Sequence, residues 1–267
     1  MKSKLKKVIE SIYMFVMFMF LYLPVVVLMV FSFNESKSRG NFGGFTLKWY
    51  VELFEDRALM SAFNYTIIIA VLSSLIAVVI GTAAALGIQA FKNKTLRSAI
   101  STVTNIPMIN PDIVTGVALM ILFVAIKLPR GFITMLLAHI TFNIPYVVLS
   151  VLPKLTQLDK NIYEAALDLG AKPWYAFKSV VFPEILPGII NGLLLSFTMS
   201  IDDFVISFFT TGNGVSNLSI YVYSMARRGL NPKINALSTI MFVVVVSLLL
   251  FINKRTSKDK SKNVLMS

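Results

Sequence analysis

Residues 161–188 read NIYEAALDLGAKPWYAFKSVVFPEILPG, a polar stretch with three prolines set between long apolar runs. Asn161 is placed to cap a helix, and Glu164 follows three residues later in the reciprocal capping pattern. Ile162, Tyr163, Ala166 and Leu169 then fall at helical spacing on one face. Gly170 stops that helix, because a left-handed C-terminal residue costs glycine nothing. Pro173 suits the first turn of a second short helix, which Pro183 ends near Phe182. Helices this short are not stable alone in water, so the piece must be held by something else.

The rest of the chain supplies the setting. Hydrophobic residues make 56% of 267 and charged residues only 14%, far from the composition of a soluble domain. Apolar runs long enough to cross a bilayer make this a polytopic membrane protein. The absence of cysteine excludes disulfides, thiol catalysis and cysteine metal sites, and one histidine excludes a histidine metal cluster. The net charge of +12 sits at span ends, which favours orientation in a membrane over nucleic-acid binding.

Working outward, an apolar run from Ser11 to Phe33 follows the basic start of the chain and is too long for a signal peptide. The polar segment after it contains FTLKWYVELFED, an amphipathic helix whose Trp49 and Tyr50 suit a membrane interface. Span two covers Tyr65 to Leu86, and its GTAAALG segment (81–87) offers small residues for close packing. The apolar region Ala99 to Ile126 is longer than one straight span needs. Asn110-Pro111-Asp112 reads there as cap, first turn and first-turn acid, so a helix restarts. Span four covers Phe132 to Leu152, span five Gly188 to Phe209, and span six Ile234 to Ile252, with an outer loop up to Pro232 between the last two.

Six spans put both termini on one side. That side carries 16 of the 25 lysines and arginines, so the termini and the island face the cytoplasm. The expected organisation is an N-terminal segment 1–10, a six-span body 11–253 containing the loop 159–187, and a basic tail 254–267. No GxxxxGK[ST] phosphate loop occurs, so the chain does not bind and hydrolyse ATP by that route.

Asp202 and Asp203 fall inside span five, and intramembrane carboxylates are expensive enough to suggest function. Asp203 continues a stripe of Ser196, Ser200 and Ser207, while Asp202 continues one through Asn191 and Thr198. Two carboxylates with no lysine or arginine on the same span invite a cationic substrate. Hydration at the interface, or pairing with Arg227 or Arg228, accounts for them without one. Phe204, Phe208 and Tyr146 would add cation–π contacts if they face the path. Asp112 is a third acidic candidate, explained equally by helix-start chemistry. His139, with Asn143 one turn on, fits polar packing between helices.

The run Glu164-Ala165-Ala166, three residues, Gly170, nine residues, then Val180-Val181-Phe182-Pro183 resembles the EAA loop of ABC importer permeases. In that family the pattern is EAA-x3-G-x9-I-x-LP, so valine and phenylalanine stand here for the isoleucine and leucine. The segments NPDIVTGVALMILFV, LSFTMSIDDFVISFFTTG and IYVYSMARRGLNPKINALSTI resemble the PotC-type permease of spermidine/putrescine importers, from FTLKWY through span six. The resemblance implies an all-α integral membrane protein of six transmembrane helices, with a cytoplasmic coupling helix between spans four and five. It implies a non-catalytic subunit with no cofactor of its own, in the cytoplasmic (inner) membrane of a bacterium. Its expected partners are a second, PotB-type permease, two PotA-type ATPase subunits that use ATP and Mg, and an external PotD-type polyamine-binding protein. Glu164, Ala165, Ala166, Gly170 and Pro183 would couple to the ATPases, and Asp202, Asp203, Asp112 and Tyr146 would line the substrate path. Other solutes of the same fold, such as ferric ion or thiamine, stay open. So does an intramembrane enzyme with Asp202 and Asp203 as a carboxylate dyad, for which no paired motif exists on another span.

Overall fold

The computed structural model describes residues 2–37, 41–228, 232–244 and 246–247. The chain forms two compact units, residues 60–221 and residues 1–59 with 222–267. Among the described residues four helices are long and apolar enough to cross a membrane, or five with a bent pair taken as one span. The end expected for span six, at Ile252, lies outside the described residues.

The first unit begins with α1 (Lys2–Phe31) and α2 (Lys48–Glu55). α1 is an apolar helix that presents its side chains outward, as a lipid-facing span does. The connection between the two helices is built around Asn34. Its side chain accepts from the backbone of Ser36 and Gly43 and donates to the Asn41 carbonyl. Trp49 is turned into the protein and not towards a membrane interface. The Trp49 ring is buried and its indole N–H donates to the Asn34 carbonyl at 2.7 Å, while Tyr50 shares a 2.6 Å hydrogen bond with Ser32. Leu47, Val51 and Phe54 are exposed instead, while Trp49 and Leu53 form the buried face. A Trp49→Phe variant removes the indole hydrogen bond to the Asn34 carbonyl and should lose about 0.5–1.5 kcal/mol of local stability, read as faster hydrogen exchange over residues 32–55. The unit also contains α12 (Pro232–Val244), whose Lys233 lies 3.5 Å from Glu52 and 3.6 Å from Asp56.

The second unit holds most of α3 (Arg57–Ala90), then α4 (Lys94–Ile109), α5 (Asp112–Ala125) and α6 (Phe132–Gln157). The helix restart expected at Asn110-Pro111 occurs there, with α4 and α5 meeting at 100°. Asn110 ends α4 and is not the cap of α5; Pro111 occupies that position. The chain continues through α7 (Lys160–Asp168), α8 (Pro173–Ala176), a π-helical turn at Phe177–Val181, α9 (Phe182–Asp202) and α10 (Val205–Thr210). Pro183 therefore does not end the second short helix. The wide i→i+5 turn before it accommodates the missing N–H and the ring, so α8 runs through into α9. The segment expected as an outer loop contains a further helix, α11 (Leu218–Arg227), which crosses the division between the units.

α6 is the axis of the second unit and packs against α4, α5, α9 and α10. Towards its C-terminal end Val147, Val148, Val151 and Leu155 meet Ala77, Ala85 and Ile88 of α3 and Ile185 of α9. Towards its N-terminal end Ala138 and Phe142 meet Phe123 of α5 and Ile206 of α10. Small residues set these approaches, as in helix packing in lipid generally. A Cβ on Gly81 would lie 2.7 Å from the Val147 Cβ, and one on Gly188 would lie 2.7 Å from the Ser150 carbonyl oxygen. Of the two glycines in GTAAALG, only Gly81 makes such an approach; Gly87 has open space. Gly188→Leu should therefore cost about 1–3 kcal/mol by overpacking and lower the thermal midpoint in detergent. Gly87→Leu, the control, should leave the midpoint in place.

Candidate functional site

The residues expected to meet the ATPases are exposed except for the half-buried Ala166. The cap of α7 is Asp159, whose carboxylate accepts from the Asn161 N–H at 3.0 Å, so the helix starts earlier than a cap at Asn161 would give. The Asp159 carboxylate is the stronger acceptor beside unpaired helix N–H groups. Glu164 and Ala165 are exposed and Ala166 is half-buried. Gly170 closes the helix at φ 85°, with its own N–H on the Leu167 carbonyl and the Ala171 N–H on the Ala166 carbonyl. No atom lies within 4 Å of where its Cβ would be, so glycine is needed for conformation and not for space. Pro173 opens α8, as its position suggests, and Pro183 sits exposed in the first turn of α9. Leu169, Trp174 and Tyr175 stand out from the loop at 89%, 74% and 65% exposure.

The acidic pair lies at a break, not inside a continuous helix. α9 ends at Asp202, Asp203 is extended at ψ 124°, and α10 begins at Val205. The break separates the two carboxylates chemically. Asp203 turns inward and caps α10, accepting from the N–H groups of Ile206 at 3.1 Å and Ser207 at 2.7 Å. Asp202 is exposed, at the negative end of the α9 dipole, and has no ion pair among the described residues.

The two serine and threonine stripes part in the same way. Ser196 and Ser200 are buried between helices, where Ser200 meets Ser73 of α3 at 3.1 Å and Asn143 of α6 at 2.8 Å. Asn191 and Thr198 are exposed and line a groove of about 430 Å³ between α6 and α9 with Ser150, Leu194, Leu195 and Met199. Asp202 follows Thr198 by one turn on that face.

Asp112 is exposed as the first residue of α5, and no hydrogen bond or ion pair joins it to either carboxylate among the described residues. Tyr146 is half-buried against the Phe123–Phe142 cluster. His139 and Asn143 do pack polar groups between helices, with the His139 Nε2 2.8 Å from the Ser207 Oγ. Asn217 was missed by sequence reasoning. It caps α11 through Oδ1, accepting from the Ile220 N–H, and its Nδ2 donates to the Asp203 carbonyl and to the Ser207 Oγ. An asparagine directly before an apolar helical run was the available signal. The described residues contain no group of three or more metal-ligating side chains.

Comparison with known proteins fits this architecture. Residues 77–255 match the family described as binding-protein-dependent transport system inner membrane component. The chain is 40% identical over 220 residues to the putrescine transport system permease protein PotI of Escherichia coli (strain K12), covering 80% of this chain and 78% of that one. It is 34% identical over 253 residues to the spermidine/putrescine transport system permease protein PotC of Haemophilus influenzae, covering 94% and 97%. Among solved structures, a bacterial ABC transporter involved in import of the acidic polysaccharide alginate superposes with a TM-score of 0.73 at 17% identity, over 96% of each chain. The MetNI methionine ABC transporter gives 0.61 at 20% identity, over 74% of this chain and 93% of that one. At those identities the likeness is one of fold. The chain is a multi-pass membrane protein and belongs to the family of binding-protein-dependent transport system inner membrane components.

Proposed function

We propose that this chain is the permease subunit of an ATP-driven importer that moves polyamines, such as spermidine and putrescine, into the cell by alternating access. The observation that carries the substrate class is Asp202. An exposed carboxylate at a helix C-terminus, on a stripe with Asn191 and Thr198, suits an ammonium group. The relatives named for putrescine and spermidine/putrescine transport agree with that chemistry.

In this reading the chain spans the membrane six times, through α1, α3, the bent pair α4–α5, α6, residues 188–209 of α9 and α10, and a sixth span of which α12 is the described part. The excess of lysine and arginine places residues 1–10, the loop 159–187 and the tail 254–267 in the cytoplasm. The partners are a second permease of PotB type, two ATPase subunits of PotA type and an external binding protein of PotD type. The ATPases bind and hydrolyse ATP with Mg²⁺, and this chain adds no cofactor. α7 is the part they grip: Glu164 meets a basic residue of the ATPase, while Ala165 and Ala166 let its surface come close. Gly170 and the continuous α8–α9 helix pass the push from the loop to the groove along Asn191, Thr198 and Asp202.

The test is uptake of labelled spermidine and putrescine by the full complex in proteoliposomes. Accumulation should require ATP, and each polyamine should compete with the other but not with thiamine. Uptake that ignores ATP, or an ATP-driven complex that carries no polyamine, would overturn the assignment.

A further inference from the structure

We infer that His139 is a positioning residue that, through Ser207 and Asn217, locks the break between α9 and α10 and so fixes where Asp202 points. Its importance for transport rests on the reading of Asp202 as the substrate carboxylate; the lock itself rests on geometry alone.

A helix that ends within a span leaves backbone groups without helical partners, and lipid offers none. Side chains at this break supply them. The Asp203 carboxylate takes the N–H groups of Ile206 and Ser207, and the Asn217 amide takes the Asp203 carbonyl at 2.9 Å. Ser207 is the junction. Its Oγ accepts from the Asn217 Nδ2 at 2.8 Å and lies 2.8 Å from the His139 Nε2.

The Ser207 Oγ accepts from the Asn217 amide, and its contact with the His139 Nε2 is a hydrogen bond in either tautomer, with the ring N–H or the hydroxyl as donor. The His139 Nε2 also stands 3.5 Å from the Asp203 Oδ2.

His139 is a poor choice as a space filler. It is 1% exposed, and its Nδ1 has no hydrogen-bond partner. An apolar side chain would fill the volume without that penalty. What the imidazole offers is Nε2, which ties the break to α6, the axis of the unit. Without this tie the chain at Asp203 can rotate towards a continuous helix, and Asp202 turns with it.

The chain contains no cysteine, so single cysteines report cleanly. In the assembled complex, Asp202→Cys is labelled with a cationic methanethiosulfonate, with His139 intact or replaced by Leu, Gln or Asn. The amide nitrogen of glutamine reaches the place of Nε2, whereas that of asparagine reaches only the place of Nδ1. Thr198→Cys, one turn back on the same face, serves as control.

Loss of one hydrogen bond should change the labelling rate at 202 by about fivefold in His139→Leu and His139→Asn, with His139→Gln and the control at 198 within about twofold. An unchanged rate at 202, or equal changes at both positions, overturns the lock and leaves a merely structural histidine. If His139→Leu fails to assemble, the contrast between His139→Gln and His139→Asn decides. Normal polyamine uptake by Asp202→Asn would defeat the substrate reading and leave the thiol rates to judge the lock.

Discussion

Asp202→Asn should lower kcat/KM for polyamine uptake by about tenfold to about a hundredfold, the worth of one charged hydrogen bond of about 1.5–3 kcal/mol. Assembly and basal ATP hydrolysis should stay normal, because Asp202 is exposed and makes no ion pair among the described residues. Asp203→Asn should behave differently, although it removes the same charge from the next residue. Its carboxylate holds two backbone N–H groups of α10, and asparagine keeps one acceptor of the two. The expected loss is about 0.5–2 kcal/mol of stability, seen as a lower thermal midpoint, with a smaller loss of uptake per assembled complex than in Asp202→Asn. Equal transport defects in the two variants would show that both carboxylates face the substrate and that the cap is incidental.

The second large effect is expected at the coupling loop. Gly170→Val places a β-branched residue at φ 85°, where even an unbranched side chain costs about 1–2 kcal/mol. Space is open around the glycine, so the loss is conformational: α7 and α8 no longer meet at the same angle. Uptake should fall by about tenfold or more, while the ATPases still hydrolyse ATP and the external protein still binds polyamine. Glu164→Lys should give the same split by a different route, since it reverses an exposed charge without touching the fold. Measuring ATP turnover and uptake on one preparation separates the outcomes. A parallel loss of both activities would mean that the variants block assembly and do not uncouple it.

Much of this was legible in the chain itself. The apolar runs set the spans, because a bilayer accepts only segments whose backbone bonds close internally. Gly170 and Pro173 marked the turn at 170–173, since each is fixed by local backbone geometry. The pairing of His139 and Asn143 one turn apart indicated a polar seam on α6, and Ser207, Ser200 and Ser73 form its other side. Local rules failed where two of them competed. Pro183 reads as a terminator, but the π-helical turn at Phe177–Val181 absorbs it and keeps α8 and α9 in line. Trp49 reads as an interface anchor, but the Asn34 carbonyl gave its indole N–H a better partner than lipid headgroups could.

The sequence by itself determined the class of molecule, the apolar segments and the positions of its polar loop, because these depend on composition and on neighbours within a few residues. Only the tertiary structure separated Asp202 from Asp203. A helical wheel places adjacent residues about 100° apart and treats them alike, yet the chain breaks between α9 and α10. That break is held by Asn217 from fourteen residues on and by His139 from another helix. Partners so distant in sequence leave no periodic trace, and they make one carboxylate a backbone cap while the other stays exposed.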